Sequence, residues 1–118
     1  MAQTYNIHVN QGSTYSLVVS YVDAAGAVVA LTNYEARMQV RETVASTTTL
    51  ASFTSSPAAG LVVDAAGGTV TLTITSVQTA AYDFTNAVYD LEVYDNSATP
   101  VVVRLIQGRF VVNPEVTR

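Results

Sequence analysis

Few residues in this chain have side chains that can do chemistry, and their spacing limits what they can do together. His8 is the only histidine. It sits between Asn6 and Asn10 on the polar side of an alternating run. Nucleophilic catalysis needs a base and an orienting acid converging on a hydroxyl or thiol, and nothing near His8 in sequence supplies them. It reads as an exposed strand residue. Asp90 and Glu92 lie two apart in one strand, so their carboxylates fall on one face within about 7 Å. Such a pair can do acid–base work or hold a hard cation. Arg37 and Arg41 share one face of another strand, and cross-strand ion pairs with Asp90 and Glu92 are the favoured reading. Asp23, Asp64 and Asp95 precede small residues and lack the run of oxygen ligands of a calcium loop. Gly67-Gly68 leads into a strand, where a phosphate cradle would need a helix. No catalytic residue, metal site or cofactor is expected.

The elements that carry these residues announce themselves by period-2 alternation. Tyr5, Ile7 and Val9 alternate with Thr4, Asn6 and His8. Tyr15, Leu17, Val19 and Tyr21 do so with Thr14, Ser16 and Ser20. Tyr34, Ala36, Met38 and Val40 oppose Glu35, Arg37, Gln39 and Arg41. Val70, Leu72 and Ile74 alternate with threonines, and Tyr89, Leu91 and Val93 oppose Asp90, Glu92 and Tyr94. The expected core is therefore Leu17, Val19, Met38, Val40, Leu72, Ile74, Tyr89, Leu91 and Val93. Turn-rich stretches at 23–26, 55–60, 64–68 and 95–100 separate the runs. Eight to ten short strands at this spacing predict a single all-β domain, an antiparallel β-sandwich. One helical turn is expected over Val77–Ala81, capped by Ser76.

Composition sets the outer bounds. With 118 residues, 49% hydrophobic and 12% charged, the chain can bury one core and does not have the make-up of a disordered protein. Without cysteine it can form neither a disulfide nor a cysteine zinc site. A net charge of −4 with only five arginines and no lysine gives no basic stripe for nucleic acid. No apolar run approaches the ~20 residues of a membrane helix, and the first residues lack a signal-peptide pattern. Neither nucleic acid nor membrane is expected as a partner, and synthesis in a host cytoplasm fits.

Apolar excess remains to be placed. Pro100–Ile106 is apolar on both faces apart from Arg104, and Leu17-Val18-Val19 and Ala27–Leu31 also break alternation. Strands apolar on both faces are covered on both, by the chain itself or by a partner. Val101, Val102, Val103, Arg104, Ile106 and Val18 are thus candidate interface residues. Ile7 and Val112 join them because the ends, Ala2–Asn10 and Val111–Arg118, could project as arms that add strands to a neighbour. Residues 1–10 are read as a possible arm or strand, and 113–118 as a C-terminal tail.

Two resemblances sharpen the expectation. The run Gly68–Gln78 followed by Val88-Tyr89-Asp90-Leu91 is similar to the E-strand, corner and F-strand of an immunoglobulin variable domain. That likeness implies an immunoglobulin-like sandwich, with jelly-roll as the alternative. Tyr89 would be the corner tyrosine, its hydroxyl bonded to nearby backbone, and Leu91 would stand where the second cysteine belongs. The cysteine pair and core tryptophan of that family are both missing. Over nearly its whole length the chain also resembles small tailed-bacteriophage virion proteins. The carriers are Gln11-Gly12-Ser13-Thr14, Leu31-Thr32-Asn33-Tyr34-Glu35-Ala36-Arg37-Met38-Gln39-Val40-Arg41, Tyr89-Asp90-Leu91-Glu92 and Pro114-Glu115-Val116-Thr117-Arg118. The motifs are similar to the N-terminal attachment domain of baseplate proteins that carry receptor binders. This implies a non-enzymatic virion component in the tail or baseplate region, joining fibres or receptor-binding proteins, as a homo-oligomer among other virion proteins. A capsid decoration (cement) protein is the alternative. A carbohydrate-binding module is a third reading, resting on Tyr82 and Tyr94, the tyrosines left off the buried faces.

Overall fold

A computed structural model describes residues 3–95 and 97–116. Among these, the alternating runs become nine strands: β1 (Gln3–Thr4), β2 (Ile7–Asn10), β3 (Tyr15–Ser20), β4 (Tyr34–Arg41), β5 (Thr49–Thr54), β6 (Leu61–Asp64), β7 (Thr69–Ile74), β8 (Asn86–Asp95) and β9 (Val102–Asn113). One sheet runs β1–β9–β8–β4–β5, with β2 also paired to β9; the other runs β3–β7–β6. The two sheets pack face to face as a β-sandwich around one core. That core is built from the inward members of each alternation, among them Val19, Met38, Val40, Leu72, Ile74, Tyr89, Leu91 and Val93. Leu17 packs against it while remaining partly exposed.

Four expectations are corrected. First, of the two readings of the N-terminal segment, arm or strand, the described residues take the strand and not the arm. Over its described residues it is split into β1 and β2, both paired parallel to β9 of the same chain, with Ile7 opposite Phe110 and Val9 opposite Val112. Ile7 and Val112 are consequently core residues, 0% and 2% exposed, and not interface residues. Likewise Val111–Asn113 belongs to β9, and the Glu115 amide donates to Gln11 Oε1 at 2.9 Å. Thr117 and Arg118, the end of the tail motif, lie outside the described residues.

Second, Ile106 is buried at 7%. The β8–β9 register runs Leu91↔Ile106 and then Glu92↔Arg104, so Leu105 is an extra residue in β9. This bulge resets the parity of the strand. Val103 and Leu105 turn inward before it, and Ile106, Phe110 and Val112 after it. A stretch that reads as apolar on both faces is largely one apolar face, interrupted by a bulge.

Third, the helix is Ser76–Ala80, and its N-cap is Thr75. The Thr75 side chain accepts from the Gln78 amide while the Gln78 side chain accepts from the Thr75 amide. Ser76 also has a capping side chain, but the glutamine three residues after Thr75 completes a capping box there.

Fourth, the Tyr89 hydroxyl bonds no nearby backbone: it crosses to the Tyr5 carbonyl at 2.5 Å, 84 positions away. Tyr5 itself, expected on a buried face, is 44% exposed, because the break between β1 and β2 falls there.

Candidate functional site

The side chains capable of chemistry gather on the outer face of the larger sheet, where β4, β8 and β9 lie side by side. Arg37 and Glu92 are directly opposite in the ladder and form an ion pair through Nε and Oε1. The Arg37 guanidinium also lies 4.5 Å from the Tyr94 ring centroid, a cation–π contact. The second expected pair does not form. Antiparallel strands pass each other residue for residue, so with Arg37 opposite Glu92, Gln39 meets Asp90 and Arg41 meets Val88. Arginines four apart cannot both face carboxylates two apart. Arg41 donates instead to the Ser46 carbonyl at 3.0 Å and to Gln39 Oε1 at 2.8 Å. Asp90 takes Arg104 of β9 as its partner at 3.5 Å. Both pairs are substantially water-exposed, so each stabilises by at most about 1 kcal/mol.

His8 lies on the exposed side of β2, opposite Val111. Among the described residues, no three His, Cys, Asp or Glu side chains cluster in a way that could hold a metal ion. Each turn aspartate spends its carboxylate on its own loop. Asp23 accepts from the amides of Ala25 and Ala27, and Asp64 from that of Gly67. Asp95 accepts from Ser97 and from the amide of Val101, and these bonds, led by the Ser97 hydroxyl, hold its carboxyl below the ordinary range. The two tyrosines singled out for sugar stacking are not neighbours. Tyr82 packs on Phe84 and Phe110, with ring centroids 5.2 and 6.1 Å away, and burial raises its pKa. Tyr94, near the other end of β8, is covered by Arg37.

Four of the residues read as interface candidates lie around one cleft, although Ile106 is itself buried. Val18, Val103, Arg104 and Ile106 line this cleft of about 420 Å³ on the side of the sandwich where β3 faces β1 and β9. Leu105, Leu17 and Val19 add to the apolar lining, with Gln3, Thr4 and Tyr5 also bordering the cleft. Val18 at 60%, Val101 at 53% and Val102 at 47% are exposed.

Sequence reasoning missed the device that shapes this side. Gly108 faces inward opposite Tyr89, and the chain between β1 and β2 presses against it. A Cβ at position 108 would overlap the Tyr5 carbonyl and lie 2.9 Å from Asn6 Oδ1. That oxygen accepts from the Arg109 amide at 3.1 Å. The only sequence signal was a glycine inside an otherwise continuous strand, which marks a close backbone approach.

No family model matches the chain, and no curated protein matches it.

Proposed function

We propose that this chain is a non-enzymatic structural component of a tailed-phage virion, an adaptor in the tail or baseplate region that connects fibres or receptor-binding proteins. The observation that carries the reading is the set of motifs, spread from Gln11 to Arg118, that resemble those of small tailed-phage virion proteins. Support also comes from what their residues do here. Ala36, Met38, Val40 and Leu91 are core residues of adjacent strands. The opening and closing motifs touch: Gln11 receives the Glu115 amide and donates to the Tyr82 carbonyl at 3.0 Å, and the Gly12 amide donates to Thr79 Oγ1 at 3.0 Å. The motifs thus coincide with contacts that hold the sandwich together. A further support is the exposed Val18 on a cleft also lined by Leu17, Leu105 and Ile106, since exposed apolar surface beside a cleft is where partners bind.

We read the sandwich as immunoglobulin-like. In a variable-type domain, strands B, E and D form one sheet and G, F, C and C′ the other. The orders β3–β7–β6 and β9–β8–β4–β5 follow that scheme.

Cryo-electron microscopy of the virion that carries the chain tests the role. Density between the tail tube or baseplate and the fibres is expected. Density studding the capsid lattice would make it a decoration protein, and absence from the particle would overturn a virion role.

A further inference from the structure

We infer that β3 is a self-complementary edge through which two copies of this chain pair, antiparallel and centred on Val18. The inference rests on the edge alone and is independent of the virion role.

A sheet edge presents unpaired N–H and C=O groups, and proteins blunt such edges with charges, proline, bulges or brevity. Among the described residues, three of the four edges are blunted. β5 carries a bulge at Leu50, where the register with β4 slips between Val40 and Arg41. β6 has only four residues and ends on Asp64. The β1–β2 edge is broken at Tyr5-Asn6. β3 has none of these devices: it runs six residues without charge, proline or bulge and pairs on one side only, with β7.

Which backbone groups are free follows from the ladder. In an antiparallel pair the N–H and C=O of one residue point to the same side, and the side alternates along the strand. The Tyr21 amide donates to the Gly68 carbonyl on the β7 side. By parity Tyr15, Leu17 and Val19 also face β7, so Ser16, Val18 and Ser20 face outward with both backbone groups. The 420 Å³ cleft lies directly beside Val18 and Ser20, leaving room for an incoming strand.

The occupant is written in the edge itself. Residues 15–21 read Tyr-Ser-Leu-Val-Val-Ser-Tyr, nearly the same in both directions. Antiparallel pairing about Val18 sets Val18 against its own copy and Ser16 against Ser20, and all three present outward N–H and C=O groups. On the inner face Leu17 meets Val19, and Tyr15 meets Tyr21. Every residue therefore faces one of its own kind, the condition for an isologous twofold contact. A one-residue slip would set apolar inner-face residues against outer-face serines.

The absence of native cysteine makes the test direct. Hydrogen-bonded antiparallel partners have Cα atoms about 5.5 Å apart, within disulfide reach. Val18→Cys should give a disulfide-linked dimer of the full chain under mild oxidation. Val62→Cys, on another strand and 64% exposed, should remain monomeric. In sedimentation of the cysteine-free chain, the mass should approach twice 12.5 kDa as concentration rises. Ser16→Lys with Ser20→Lys should abolish that shift, while Ser16→Lys with Ser20→Glu should restore it, because each new cation would then face a new anion. A monomer at every concentration with no Val18→Cys cross-link would overturn the proposal. So would dimerisation indifferent to the double lysine variant, which would place the contact elsewhere.

Discussion

At the scale of single residues, one backbone carbonyl constrains two distant positions. Tyr5 C=O accepts from the Tyr89 hydroxyl and occupies the space where a side chain at position 108 would stand. Gly108→Ala must push backbone, not a flexible side-chain tip, and should destabilise the domain by about 1–3 kcal/mol, read from urea unfolding. Buried tyrosine hydroxyls, that of Tyr89 among them, also give the fold an alkaline limit. Burial, then the charge and hydroxyl of Tyr5, push the Tyr15 pKa from its ordinary 10.0 up to about 12. Burial, helped by Tyr15 and Tyr5, also raises that of Tyr89. A raised folded-state pKa means that between pH 10 and pH 12 the unfolded chain releases protons that the folded one keeps. Stability should therefore be full below pH 10 and fall across that window. Tyr15→Phe should flatten the fall in a series of melting curves taken from pH 9 to pH 12. The inward position of Tyr89 was legible from alternation, but its partner was not, because nothing local in a sequence points to a carbonyl 84 positions away.

At the scale of elements, alternation carried most of the fold, and what it missed are the places where a ladder slips. Periodicity gives the buried face of β4, β7 and β8 directly, and there the expected core residues are the observed ones. It cannot give register, which depends on pairing between strands. Arg37 meets Glu92 but Arg41 misses Asp90 for that reason. A bulge defeats periodicity outright: Leu105 and Ile106 are adjacent and both 7% exposed, so the two halves of β9 read as a strand with no polar face. The helix shows the same limit on a smaller scale, since two adjacent hydroxyl residues compete for the cap and Gln78 decides between them. Thr75→Ala should cost about 1 kcal/mol in thermal unfolding. Ser76→Ala should leave the melting temperature unchanged, because no cap bond ends on Ser76.

At the scale of the whole molecule, charge is segregated. The four described arginines, Arg37, Arg41, Arg104 and Arg109, all stand on the outer face of the larger sheet, accompanied by Glu35, Asp90 and Glu92. The other six of the nine acids lie elsewhere, on loops, at strand ends and beside the C-terminal tail. The outer face of the smaller sheet carries Ser16, Val18, Ser20 and Val62 with the threonines of β7 between them. The first face presents mixed charge, whereas the β3 edge and its cleft present unpaired backbone groups and apolar surface. Val102 stands at the margin between these regions, on the outer face of β9 opposite Tyr94 and just before the inward Val103. It is 47% exposed, so a carboxylate at that position remains hydrated in the monomer and costs the fold little. Within an assembled contact the same carboxylate would lose its water without gaining a partner, a penalty of several kcal/mol. In the virion role proposed above, Val102→Asp should therefore leave the circular dichroism spectrum and the melting temperature of the isolated chain unchanged while abolishing its incorporation into particles. A variant that is folded and still incorporated would remove Val102 from the contact surface and leave Val18, Val103 and the β3 edge to carry it.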